Sequence, residues 1–98
     1  MSEKLKVLAV CGFGIGTSLM LKMNIETVLK NNSIEAEVEN IDITSAVAMH
    51  CDMIFTSSEF YDELKDKVSV PLIRINNFLS NKEIEEKAMP IIKEILFD

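Results

Sequence analysis

Apolar positions along this chain fall into four short runs separated by stretches with helical spacing. Leu5 to Val10 (Leu-Lys-Val-Leu-Ala-Val) is nearly continuous and ends at a glycine cluster. That is the pattern of a strand covered on both faces, as in a parallel sheet. From Leu19 to Asn31 the spacing changes to that of a helix. Leu21, Ile25, Val28 and Leu29 share one face, while Lys22, Glu26 and Lys30 follow i,i+4 spacing on another. Asn31-Asn32-Ser33 stops this helix. Ile34 to Ile41 alternates loosely, carries several glutamates and reads as a second, more exposed strand. Thr44 to Met49 has room for one or two helical turns.

Asp52 to Thr56 (Asp-Met-Ile-Phe-Thr) is the third apolar run, after which Ser57 or Ser58 caps a short helix reaching about Lys67. Val70 to Ile75 is the fourth strand, and Pro71 near its start suits a sheet edge. Ser80 with Glu83 forms a capping box. The last helix then lines up Ile84, Ala88, Ile91, Ile92 and Ile95, with Pro90 on the polar side, where it kinks the helix. Strands alternating with helices predict a single α/β domain over residues 1–98. Its four-stranded parallel sheet has the order 2-1-3-4 and helices on both faces. In such sheets ligands bind beyond the carboxyl ends of the strands, where Cys11 follows the first strand.

Composition narrows the chemistry. With 98 residues, 48% of them hydrophobic, the chain builds one modest core without needing a disulfide or metal. The two cysteines, Cys11 and Cys51, have no CxxC spacing, so both are expected reduced and the protein cytoplasmic. The apolar run near the start is too short for a signal-peptide core, and nowhere do apolar residues run long enough to span a bilayer. A net charge of −6 excludes nucleic acid as a natural partner. Arg74 is the only arginine, so any phosphate must be held mainly by backbone dipoles.

The segment Cys11-Gly12-Phe13-Gly14-Ile15-Gly16-Thr17-Ser18 holds all three glycines. Glycines between a strand and a helix let successive amides turn toward one point, and the positive helix end adds to their field. Thr17 and Ser18 contribute hydroxyl donors. The same field favours a thiolate at Cys11, and a nucleophile beside a phosphate cradle points to a phosphocysteine. A Walker A loop would need a lysine after Gly16, where Thr17 stands. The dinucleotide fingerprint would need glycine at position 17, although Asp42 lies far enough downstream to imitate a ribose-binding acid. A cysteine phosphatase of the low-molecular-weight type is nearer, with five residues between the cysteine and a clamping arginine. Here Thr17 takes that arginine's place and no Asp-Pro acid loop is evident. Three readings stay open on the residues: a phosphocysteine carrier, a phosphatase-like enzyme and a non-catalytic anion-binding module. The missing arginine favours the carrier.

The run Val10-Cys11-Gly12-Phe13-Gly14-Ile15-Gly16-Thr17-Ser18-Leu19-Met20-Leu21-Lys22-Met23-Asn24 resembles the enzyme IIB components of the bacterial sugar phosphotransferase system, most of all the ascorbate type. Galactitol- and lactose-type relatives are further off. Cys51-Asp52-Met53-Ile54-Phe55-Thr56-Ser57 is a weaker match at the third strand. The resemblance implies that Cys11 takes a phosphoryl group from a phosphohistidine on a IIA protein or domain. It then passes the group to a sugar, ascorbate-like or a pentitol or hexitol, held by the membrane transporter IIC. The protein would thus be cytoplasmic and associated with the membrane through IIC, with no cofactor or metal. Backbone amides of Gly12 to Ser18 would hold the phosphate. Phe13 departs from the small or polar residue expected at its position.

Four other features are weighed on the residues. Leu19 and Met23 fall opposite the Leu21–Ile25–Val28 stripe and suggest a docking patch beside the loop. Cys51 begins an apolar strand and reads as core. His50 reads as a solvated loop residue, a second phosphate acceptor or a metal ligand being the sharper alternatives. Ser57, Ser58 and Glu59 are explained by helix capping, with a contact to Cys11 left open.

Overall fold

Four strands, Leu5–Val10 (β1), Ala36–Ile41 (β2), Met53–Thr56 (β3) and Leu72–Arg74 (β4), pair in parallel in the order β2-β1-β3-β4 in the computed structural model, which describes residues 4–10 and 15–97. The helices are Ile15–Asn31 (α1), Ile43–Ala48 (α2), Ser58–Leu64 (α3) and Asn81–Phe97 (α4). The chain steps from β1 outward to β2, then back across to β3 and on to β4. Right-handed crossovers therefore put α1 on one face and α2 and α3 on the other. α4 returns to pack beside α1.

Alternation along the strands sorts the core into these two layers. Leu5, Val7 and Ala9 of β1, with Met53 and Phe55 of β3, join Leu21, Ile25 and Leu29 of α1 and Ile84, Ala88 and Ile92 of α4. Leu8, Val10 and Ile54 face the other way, onto Ala46 of α2 and Leu64 of α3. Each fully buried Leu, Ile or Phe contributes about 1.5–3 kcal/mol. β4 is an edge strand, as Pro71 suggests, and the Pro71 carbonyl still accepts from the Ile54 amide at 3.0 Å.

Element ends differ from the sequence expectation where side chains and caps decide them. α1 starts at Ile15, a full turn before Leu19, since the entropic cost of Gly16 is only about 1 kcal/mol and the packed helix outweighs it. Its other end is closed by Ser33 at a φ of 59°, with the Ile34 amide bonded to the Leu29 carbonyl and the Ser33 amide to that of Lys30. This is a Schellman closure in which Ile34 packs on the core, so β2 begins only at Ala36. α3 ends at Leu64 and not near Lys67, since the Lys67 amide turns back to the Leu64 carbonyl. α4 continues through the exposed Pro90. The Ser80 hydroxyl accepts from the Glu83 amide at 3.1 Å, but the Glu83 carboxylate reaches past Ser80 to the amides of Asn76 and Asn77, at 2.8 and 2.9 Å. The capping box is thus one-sided.

Candidate functional site

The carboxyl end of the sheet collects the loops that follow β1, β3 and β4. Val10 pairs with Thr56, and Thr56 pairs with Arg74, so the residues after each of these strands begin level with one another. Cys11, Gly12, Phe13 and Gly14 lie outside the described residues. Ile15, Gly16, Thr17 and Ser18 form the first turn of α1, whose leading amides have no partner within the helix. Only four residues therefore join the end of β1 to a helix of 17 residues whose dipole favours negative charge at this end.

Two hydroxyls at this end are out of balance with their surroundings. Thr56 is 0% exposed and Ser57 6%, and neither side-chain oxygen has a hydrogen-bond partner among the described residues. Ser57 occupies the N-cap of α3 with extended backbone, yet its hydroxyl caps nothing. Position alone led to the expectation of a cap, and the structure corrects it. Ser57 instead lines a cleft of about 270 Å³ with Ser58, Glu59, Ile75, Asn76, Asn77 and Phe78.

The far wall of that cleft is held from two sides. Asn24 of α1 donates its side-chain amide to the Phe78 carbonyl, tying the helix after the glycine segment to the loop after β4. Glu83 binds the Asn76 and Asn77 amides and takes a hydrogen bond from Lys87 at 2.7 Å. Partial burial pushes the Glu83 carboxyl up, but Lys87 and the two amides outweigh it and hold the group below its ordinary range. Sequence reasoning gave Asn24 and Glu83 no such roles. The signal for Asn24 was a polar residue one turn beyond Met20, on a helix otherwise sorted into apolar and charged faces. Leu19 and Met23 are exposed, Met23 by 56%, and the structure adds Met20 and Leu79, the latter 65% exposed next to Phe78.

Other sequence candidates stand elsewhere. His50 and Cys51 precede β3 and so lie at the amino end of the sheet, away from the end where β1 leads into Cys11. Cys51 is buried in the layer under α2, and that burial, with the neighbouring Asp52 charge, raises its thiol above the ordinary range. His50 is exposed in its loop. Asp42 is the N-cap of α2, its carboxylate accepting from the Ser45 amide at 3.0 Å and hydroxyl at 2.8 Å, bonds that lower its pKa. Those bonds give it a structural use in place of the ribose-binding role. Arg74 sits on the edge strand with its guanidinium 5.6 Å from the Tyr61 ring centroid. It is two strands from β1, about 10 Å at ordinary spacing. Among the described residues no three or more His, Cys, Asp or Glu side chains cluster as metal ligands, and no helix is long and apolar enough to cross a membrane.

Residues 6–88 match the family model described as the lactose/cellobiose-specific IIB subunit of the phosphotransferase system. A protein of Mycoplasma pneumoniae named as an ascorbate-specific phosphotransferase EIIB component is 24% identical, over 93% of this chain and 98% of its own length. A similarly named protein of Salmonella typhimurium is 26% identical, over 91% of this chain and 90% of its own. Among solved structures, the cellobiose-specific IIB component of Borrelia burgdorferi is 30% identical with a TM-score of 0.56, covering 91% of this chain and 88% of that one. The lactose-specific IIB domain of Streptococcus pneumoniae shares the fold, with a TM-score of 0.64 at 17% identity over 96% of each chain.

Proposed function

The chain belongs to the lactose/cellobiose-specific IIB family of the sugar phosphotransferase system, and from that premise we propose that Cys11 is its phosphoryl-carrying residue. One observation carries the proposal. The family's match includes a cysteine that directly follows β1, separated only by Gly12, Phe13 and Gly14 from the amino end of α1. A thiolate there is stabilised by the helix field, and the loop amides and first-turn amides supply donors for three phosphoryl oxygens.

The Cys11 thiolate attacks the phosphorus of a phosphohistidine on a IIA protein. An S–P bond forms, the P–N bond breaks, and the departing imidazole takes up a proton. In the second transfer a sugar hydroxyl held by IIC attacks the same phosphorus and loses its proton. The S–P bond then breaks and the thiolate is restored. Gly12, Phe13, Gly14, Ile15, Gly16, Thr17 and Ser18 hold the phosphoryl group through both steps. No arginine clamp speeds attack by water, so the intermediate outlives the interval between partners. IIC selects the sugar and brings the protein to the membrane; the Mycoplasma and Salmonella relatives are named for ascorbate, the family model and the solved structures for lactose and cellobiose. Leu19 and Met23, with Met20 and Leu79, form the docking surface, where flexible methionines fit two partners in turn.

The test is a mass spectrum after incubation with phosphoenolpyruvate, the general phosphotransferase proteins and a IIA of the ascorbate type. A phosphoryl adduct on Cys11, absent from Cys11→Ser, is expected, and Met23→Glu should slow its appearance without changing the fold. Steady release of phosphate from an aryl phosphate with no lasting adduct would instead identify a phosphatase.

A further inference from the structure

The outer edge of β4 is open. The Pro71 carbonyl accepts from the Ile54 amide and the Ile75 amide donates to the Thr56 carbonyl, so alternate residues of this segment turn their backbone groups toward β3. Leu72 and Arg74 lie between these and turn theirs away from the sheet. Lys87 reaches from α4 to take the Arg74 carbonyl at 2.7 Å. The Leu72 amide, the Leu72 carbonyl and the Arg74 amide have no partner among the described residues. Pro71 does not guard this edge, because the amide it lacks would face β3. A cleft of about 360 Å³ follows the open edge, walled by Tyr61 of α3 on one side and by Lys87 and Ile91 of α4 on the other.

The two walls differ in chemistry. Leu72 and Arg74 belong to the α3 face, where the Arg74 guanidinium stands 5.6 Å from the Tyr61 ring centroid. It is the chain's only arginine, and no carboxylate pairs with it among the described residues. Ile73 and Ile91 belong to the α4 face, where Glu83 already neutralises Lys87 at 2.7 Å. One wall thus offers an unpaired cation and the other an apolar surface. We infer that this edge takes an extended segment of a partner protein in which acidic and apolar side chains alternate, added to the sheet beside β4. Its backbone pairs with the free groups of Leu72 and Arg74. Successive side chains of a strand point to opposite faces, so its carboxylates meet Arg74 while its apolar side chains meet Ile91. A second copy of this chain is the poorer occupant, because each copy carries a net charge of −6.

The experiment titrates the isotope-labelled full chain with the end-blocked peptide Val-Glu-Val-Glu-Val, and with the same peptide carrying Lys for Glu, and follows the backbone amides by NMR. With the acidic peptide the Leu72 and Arg74 amide signals should shift and saturate, in the direction that hydrogen bonding produces. The lysine peptide should bind about fivefold more weakly, since repulsion replaces attraction, and Arg74→Glu should reverse that preference. Arg74 is exposed, so the variant's signals away from the cleft should match those of wild type. Absence of saturable shifts at the two amides up to millimolar peptide overturns the inference. Equal binding of the two peptides also overturns it, as backbone pairing without recognition of charge. Shifts at the same amides on concentrating the protein alone, with a sedimentation coefficient that rises in step, overturn it too and make a second copy the occupant.

Discussion

The two ends of the sheet treat their polar groups in opposite ways. At the amino end, the Asp52 carboxylate accepts from the Lys6 amide at 2.8 Å, the Asp52 amide donates to the Lys6 carbonyl at 2.8 Å, and Cys51 is packed into the α2 layer. At the carboxyl end, by contrast, the buried Thr56 and Ser57 hydroxyls have no hydrogen-bond partner among the described residues. Satisfied groups add stability, whereas unsatisfied ones cost it and are retained where a partner molecule completes them. The contrast is sharpest between the cysteines. One thiol is placed where its charged form is disfavoured, and the other directly follows the strand that leads into a helix amino terminus.

Thiol chemistry tests that contrast with the largest expected effect. Alkylation by iodoacetamide at neutral pH, followed by peptide mass spectrometry, should modify Cys11 at least about a hundredfold faster than Cys51. Burial and Asp52 both hold the Cys51 thiol protonated, so its labelling should track unfolding and accelerate in urea. Equal rates at the two sites in native protein would erase the distinction between the ends.

A smaller effect is expected where the carboxyl end does use a satisfied network. Glu83 anchors the Asn76–Asn77 wall of the cleft, and its ionised form is the one bound by Lys87 and the two amides. Its folded pKa is depressed, so its stabilisation is fully present above the ordinary glutamate range, about 4.3, and is lost as pH falls through the lower folded value. Glu83→Gln should cost about 1 kcal/mol at pH 7 by urea denaturation. The difference from wild type should close below about pH 4. A gap that stays constant down to pH 3 would mean that shape, not charge, holds the wall.

The architecture was largely legible in the residues, because it rests on period and alternation. The apolar runs of Leu5 to Val10 and Asp52 to Thr56 can be buried on both faces only in a covered sheet, and Pro71 belongs at an edge. The start of α1 was less so, since Gly16, Thr17 and Ser18 are poor helix formers and their local preference hides the turn they complete. Cys11 was legible as chemistry, and its geometry lies outside the described residues. The orphaned Ser57 hydroxyl and the reach of Glu83 to Asn76 and Asn77 depend on how loops from different strands meet. No local pattern encodes either.

The smallest effect should appear at the amino end, where changes ought to alter stability and leave transfer alone. Ser33 closes α1 in the left-handed region at φ 59°, a conformation that a β-carbon disfavours and glycine accepts without penalty. Its amide bond to the Lys30 carbonyl and the neighbouring Ile34 bond to Leu29 use backbone atoms only, so glycine keeps both. Glycine also gives the unfolded chain more freedom, which offsets part of the gain. Ser33→Gly should therefore raise stability by about 0.5–1 kcal/mol, read as a shift of the urea midpoint at constant slope. The rate of phosphoryl acceptance should not change, because the substitution lies at the opposite end of α1 from Ile15. A stabilised variant with altered transfer would show that the two ends are mechanically coupled along α1, and the division between a structural end and a working end would have to be abandoned.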